Sequence, residues 1–134
     1  MINNKIAGAS GEYFVAGELS KKGYIALLTT RNTAGIDIIV TNPTTYKSTN
    51  IQVKTTRRNP HWLLNKKNEK SYGNRLFYVF VNITENYQEY YIVPSNVVAN
   101  RIKKYHKKWL EGKSTRNDGS MRKFRLLESD RKNI

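Results

Sequence analysis

The chain has 134 residues, with 24 Lys or Arg against 10 Asp or Glu, a formal net charge of +14. That length suits one domain with its own core, and a charge of that sign attracts polyanions in a strongly salt-dependent way. The absence of cysteine excludes disulfides and thiolate zinc sites and makes a reducing, cytoplasmic setting the expectation, while His61 and His106 are too few for a histidine-rich metal centre.

The first periodic segment is Ser10 to Gly23. Glu12, Val15, Ala16 and Leu19 follow the i, i+3, i+4, i+7 spacing of one helix face. Ser10 is one candidate cap and a start near Asn4 is the other, while Gly23 is a natural stop. Glu18 lies off the stripe and can pair with Lys22 on a solvated face. Glu12 stands in line with the apolar stripe, where a carboxylate costs free energy unless it is partnered. It is either a cap or edge residue, or a functional group.

A short strand, Tyr24 to Leu28, and a turn, Thr29 to Gly35, follow. Ile36-Asp37-Ile38-Ile39-Val40 is then β-branched and apolar on both faces apart from Asp37. Aspartate forms strands poorly, so its place inside this run favours a functional role. Asn42 to Thr45 makes a turn, and Asn50 to Thr56 is the next strand. Period two puts Ile51, Val53 and Thr55 on one face and Gln52, Lys54 and Thr56 on the other.

These residues resemble the PD-(D/E)XK nuclease superfamily, in particular its resolvase-like and Mrr-type restriction branches. The resemblance rests on Gly11-Glu12 with Val15-Ala16 and Leu19, then Gly23-Tyr24, Gly35 to Ile39, and Ile51-Gln52-Val53-Lys54, and it spans roughly the first half of the chain. It implies a restriction-endonuclease-like α/β core, a helix followed by a mixed central sheet flanked by helices. It further implies that Glu12, Asp37 and Gln52 hold one or two Mg²⁺ ions, with Mn²⁺ able to substitute. Lys54 then orients or deprotonates the attacking water. Gln52 departs from the acidic consensus; its amide oxygen can coordinate a hard cation but brings no charge, so weaker metal binding is expected.

Basic residues cluster twice. Lys54 to Arg75 holds seven against the single acid Glu69, and Arg101 to the end holds twelve against four. The first cluster reads as a loop after the site, with Arg57, Arg58, Lys66, Lys67 and Lys70 placed for nucleic-acid phosphates, joined by Arg31 from the earlier turn. Trp62 and Tyr72 within it are candidates to stack a base, or to anchor the loop in the core.

Leu76 to Val81 reads as a buried central strand. Thr84 to Tyr87 turns into Glu89 to Val93, and Pro94 closes that strand. Ser95 is the expected cap of a helix reaching about Trp109, with Lys103, Lys104, Lys107 and Lys108 on its solvated face. From Gly112 the chain reads as loosely structured, with Met121 to Leu127 as a candidate last strand or docking segment. No apolar run approaches the ~20 residues of a membrane-spanning helix, and no lipidation signal or signal peptide is seen. The sequence therefore points to a single-domain, Mg²⁺-dependent DNA endonuclease, or to an inactive nuclease-fold module that binds DNA. Cutting two strands with one site per chain makes a homodimer the natural guess.

Overall fold

The computed structural model describes residues 3–30, 35–128 and 130. Helix α1 spans Asn4–Lys21, and Asn3 caps it by accepting the Ile6 N–H at 2.9 Å. Ser10 therefore lies inside the helix, where its hydroxyl donates back to the Ala7 carbonyl at 2.8 Å. The helix stops as expected at Gly23. That residue takes φ +92°, its N–H bonds the Ser20 carbonyl, and the Tyr24 N–H reaches back to Leu19, a left-handed closure that a residue without a Cβ enters at little cost.

Strands β1 (Ile25–Leu28), β2 (Ile38–Thr41), β3 (Ser48–Arg57), β4 (His61–Asn65), β5 (Leu76–Ile83) and β6 (Gln88–Pro94) precede helix α2 (Ser95–Gly112) and strand β7 (Met121–Arg125). One sheet has the order β1-β2-β3-β5-β6, with β3 and β5 parallel and the other neighbours antiparallel. The mixed α/β architecture matches the expectation. β4 and β7 form a separate antiparallel ribbon.

Alternation along the central strands divides the core by sheet face. On one face Ile38, Val40, Ile51, Val53, Val79 and Val81 pack with Val15 of α1. On the other, Tyr78, Phe80, Tyr91 and Val93 pack with Trp62 and Leu64 of β4, Phe124 of β7, and Val98 and Ile102 of α2. Phe80 and Phe124 stack with centroids 4.1 Å apart.

Three local expectations are corrected on the aromatic side. The basic stretch after the site is not a free loop, because it contains β4 and two 3₁₀ turns, Lys66–Glu69 and Gly73–Arg75. Trp62 is 2% exposed and donates its indole N–H to the Val81 carbonyl at 3.0 Å, so it anchors the core and stacks no base. Ser95 does not cap α2. Fully buried, its hydroxyl donates to the Gly73 carbonyl and accepts the Tyr72 N–H, both at 3.1 Å, tying the second 3₁₀ turn to the helix.

The segment after Gly112 is also more ordered than expected. β7 buries Arg122 and Phe124, and Arg122 Nε meets Glu69 at 2.6 Å, while one of its terminal nitrogens donates to the carbonyls of Gly119 and Met121. A charge is kept in this core because carboxylate and carbonyl acceptors surround it. Lys103, Lys104, Lys107 and Lys108 are exposed on α2, as expected.

Helix α1 meets the sheet at Gly11. A Cβ placed there would lie 1.9 Å from the Thr55 hydroxyl oxygen and 3.1 Å from Thr55 Cβ, whereas one on Gly8 or Gly17 would meet nothing within 4 Å. Gly11→Ala should therefore destabilise the fold by about 1–3 kcal/mol through overpacking. Gly8→Ala or Gly17→Ala should stabilise it by up to ~1 kcal/mol through helix propensity. Urea midpoints of the three variants check this, and equal gains at all three positions would remove the close approach.

Candidate active site

The site arises where two strands part. The β2–β3 ladder ends at Ile38 paired with Ile51, yet β3 continues to Arg57, held on its other side by β5. Asp37 sits at this fork. Its own N–H still donates to the Ile51 carbonyl at 2.8 Å, and its carboxylate accepts the Val53 N–H at 2.7 Å. A side-chain oxygen thus satisfies a backbone donor that β2 no longer reaches. Thr29 holds the same corner from β1, its N–H donating to the Asp37 carbonyl at 2.9 Å.

A carboxylate bonded to a strand's backbone N–H lies close to the plane of the sheet. Gln52 and Lys54 pair with Tyr78 and Phe80 of β5 and so share the aromatic face, as period two requires. Thr55 points the other way, against Gly11 of α1. Glu12, half-buried on the same helical turn, belongs to the α1 side and has an interaction partner of its own. The structure thus sets Asp37 and Lys54 close enough to interact at the fork, with Gln52 on the same face as Lys54 and Glu12 on the α1 side.

The electrostatics follow from burial. Desolvation raises the Asp37 carboxyl above its usual 3.8, against the lowering pull of the Val53 N–H and the Lys54 charge. Desolvation lowers Lys54 below its usual 10.5, with Lys67 pushing the same way and Asp37 opposing. Burial outweighs the mutual attraction in both, so each is held closer to its neutral form than in water.

Beside Gln52 opens a cleft of about 360 Å³ whose lining includes Asn50, Gln52, Lys67, Tyr72, Arg75 and Tyr78. Lys67 reaches it because the 3₁₀ turn that carries it is pinned from below. Buried Asn68 accepts the Asn65 N–H at 2.8 Å and donates to the Tyr78 hydroxyl at 3.0 Å. Arg75 was not singled out as a binding residue in sequence, whereas Tyr72 was a candidate to stack a base; the parallel β3–β5 pairing is what brings both to Gln52.

The other basic residues disperse. Arg57 lines a different cleft with Asn59, His61 and Lys123 at the N-terminal end of α1. Arg58 takes φ +49° and meets Glu85 at 3.2 Å, with both side chains exposed. Lys70 lies over the Tyr72 ring at 5.3 Å, and Lys66 is exposed at the end of β4. Arg31 lies outside the described residues.

Hard oxygen donors suit Mg²⁺ or Mn²⁺. Asp37 offers a partly desolvated carboxylate that a cation would relieve, and Gln52 an amide oxygen, so the residues fit such an ion with little charge. Among the described residues no group of three or more His, Cys, Asp or Glu is arranged to hold a metal. Nor, among those residues, is any helix long and apolar enough to cross a membrane.

No protein-family model matches the chain, and neither does any curated protein sequence. Among solved structures the chain is similar to a bacterial homing endonuclease, I-Ssp6803I, with a TM-score of 0.52 and 12% identity over 96% of this chain and 79% of that one. The likeness extends over nearly the whole chain and is one of fold.

The raised Asp37 carboxyl has a sign that can be measured. Its folded-state value lies above 3.8, so the ionised form costs stability at neutral pH, and this cost disappears as pH falls through the raised value to 3.8. Asp37→Asn keeps an acceptor for the Val53 N–H. In metal-free buffer it should raise Tm at pH 7, with a gain that shrinks steadily toward pH 4. A lower Tm at pH 7 would show that the carboxylate is stabilising.

Proposed function

We propose that the chain is a DNA endonuclease that hydrolyses phosphodiester bonds with Mg²⁺, or Mn²⁺ in its place. One observation carries this reading: a partly buried carboxylate and a partly buried lysine, with an amide oxygen beside them, meet at the open edge of a strand in a chain of net charge +14. The fold likeness to a homing endonuclease supports it.

Asp37 and Gln52, with Glu12 from α1, are the residues to hold the ion, which when bound neutralises the phosphate and lowers the pKa of an attacking water. The remaining steps belong to the chain. Lys54, its ammonium form disfavoured by burial, takes the proton of the water as the oxygen bonds to phosphorus and the P–O bond to the leaving group breaks. Lys67 and Arg75, at the cleft beside Gln52, hold the charge of the neighbouring phosphates. The Val53 N–H fixes one oxygen of Asp37, so the carboxylate is oriented before substrate arrives.

A second reading is favoured by the same glutamine and by the lack of a three-carboxylate group among the described residues. In it the chain binds DNA through this surface and cuts slowly or not at all.

Cleavage of supercoiled plasmid in Mg²⁺ or Mn²⁺ separates the two. If the chain is an enzyme, Lys54→Ala and Asp37→Ala should each slow cutting by ~10²–10⁴-fold, as for removal of a general base, with DNA affinity within a few-fold of wild type. Lys54→Arg keeps the charge but has no neutral form able to take a proton near neutral pH, and should be equally slow. Equal cutting by all four proteins removes the enzymatic reading. DNA binding without cutting by the wild type selects the second.

Gln52→Glu adds a carboxylate beside the ion and should tighten Mg²⁺ binding in isothermal titration. Unchanged or weaker binding would mean that residue 52 is not a ligand.

A further inference from the structure

The β4–β7 ribbon buries Trp62, Leu64, Arg122 and Phe124 and turns its alternate residues outward. The register sets His61 opposite Arg125, Leu63 opposite Lys123 and Asn65 opposite Met121. The outward face therefore has two columns of different character. Along β4 it is neutral and partly apolar, and along β7 it carries two cations. None of the six is acidic.

Two of these residues are large apolar side chains left in water, Leu63 at 61% exposure and Met121 at 63%. Among the described residues the Nδ1 of His61 is buried without a hydrogen-bond partner, and Lys123 and Arg125 both bear on its ring, adding to burial in disfavouring its charged form. This marks a positive potential over the face.

The dimensions also suit a polyanion with a groove. Two strands lie about 4.8 Å apart, so with side chains the ribbon is narrower than the ~12 Å major groove of B-DNA, which admits a two-stranded ribbon. Five residues at ~3.4 Å span ~17 Å, about five base pairs along the axis. Among the described residues the ribbon is a sheet of two strands, flanked by α2, whose Tyr105, His106 and Trp109 line a cleft with Leu63, Met121 and Lys123.

Resting on the endonuclease reading above, we propose that the outward face of the β4–β7 ribbon enters the major groove of duplex DNA, with Leu63 and Met121 against base edges and Lys123 and Arg125 on the phosphates of one wall. The inference goes beyond the cutting site. It places binding on a surface that Lys66–Glu69 joins directly to the cleft at Gln52, since that turn follows β4 and carries Lys67. Apolar side chains suit thymine methyl groups, and the two cations neutralise the backbone.

The probe is a pool of random-sequence duplexes with 5-iododeoxyuridine at every thymine, which puts a photoreactive iodine on the major-groove edge. It is mixed with wild-type protein in chelator, irradiated, and the adducts are mapped by mass spectrometry. Adducts within 61–65 and 121–125 are expected. Lys123→Ala with Arg125→Ala, both outward-facing, should lower the slope of log affinity against log salt by ~1.8. Adducts confined to other segments, with an unchanged slope in that variant, would overturn the ribbon while leaving the endonuclease reading in place. Absence of any duplex binding at low salt would overturn both.

Discussion

The arrangement depends on the hydrogen bond from the Val53 N–H to the Asp37 carboxylate. β2 must leave β3 for a site to exist between them, and leaving strands a backbone donor in a partly buried place. An unsatisfied donor costs about as much as a lost hydrogen bond. Asp37 meets that need with a side chain and so ends the ladder without a penalty at Val53. In doing so it places a carboxylate at the fork, beside Gln52 and Lys54.

The parallel pairing of β3 with β5 is the second constraint. A parallel neighbour cannot be reached by a tight turn, so residues 58–75 must cross from one end of β3 to the start of β5. That crossover is usually a helix. Here it is β4 followed by two 3₁₀ turns, and it is not stable alone, since a two-stranded ribbon needs further packing. Trp62, Leu64 and Phe124 supply it on the sheet side, and the Arg122–Glu69 pair locks β7 to the first turn. The pins that hold this crossover also set Lys67 at the cleft.

The sequence was legible where one residue violated its local pattern. Asp37 in an apolar run, Gln52 and Lys54 two apart on a strand, and Gly23 after a helical stripe each identify an element and a position. Alternation predicted the shared face of Gln52 and Lys54 because it depends on nothing beyond the strand. What was not legible depended on partners distant in the chain. Trp62 among basic residues resembles a stacking platform until Val81, Phe80 and Tyr91 are seen around it. Ser95 has the composition of a cap, yet a turn more than twenty residues earlier claims its hydroxyl. Basic residues adjacent in sequence, such as Arg57 and Arg58, diverge because a strand alternates and then ends in a positive φ.

The ribbon joins residues 61–65 to residues 121–125, so its two strands are made far apart in time. A ribosome adding ~5–20 residues per second needs several seconds between them. Until β7 arrives, Trp62, Leu64 and the face of Phe80 have no cover, and the nascent chain carries an aromatic surface suited to chaperone capture. Closing such a long loop is slow because its entropy is lost before the contacts form. The protein should thus mature late, with its basic ribbon assembled after the rest of the sheet.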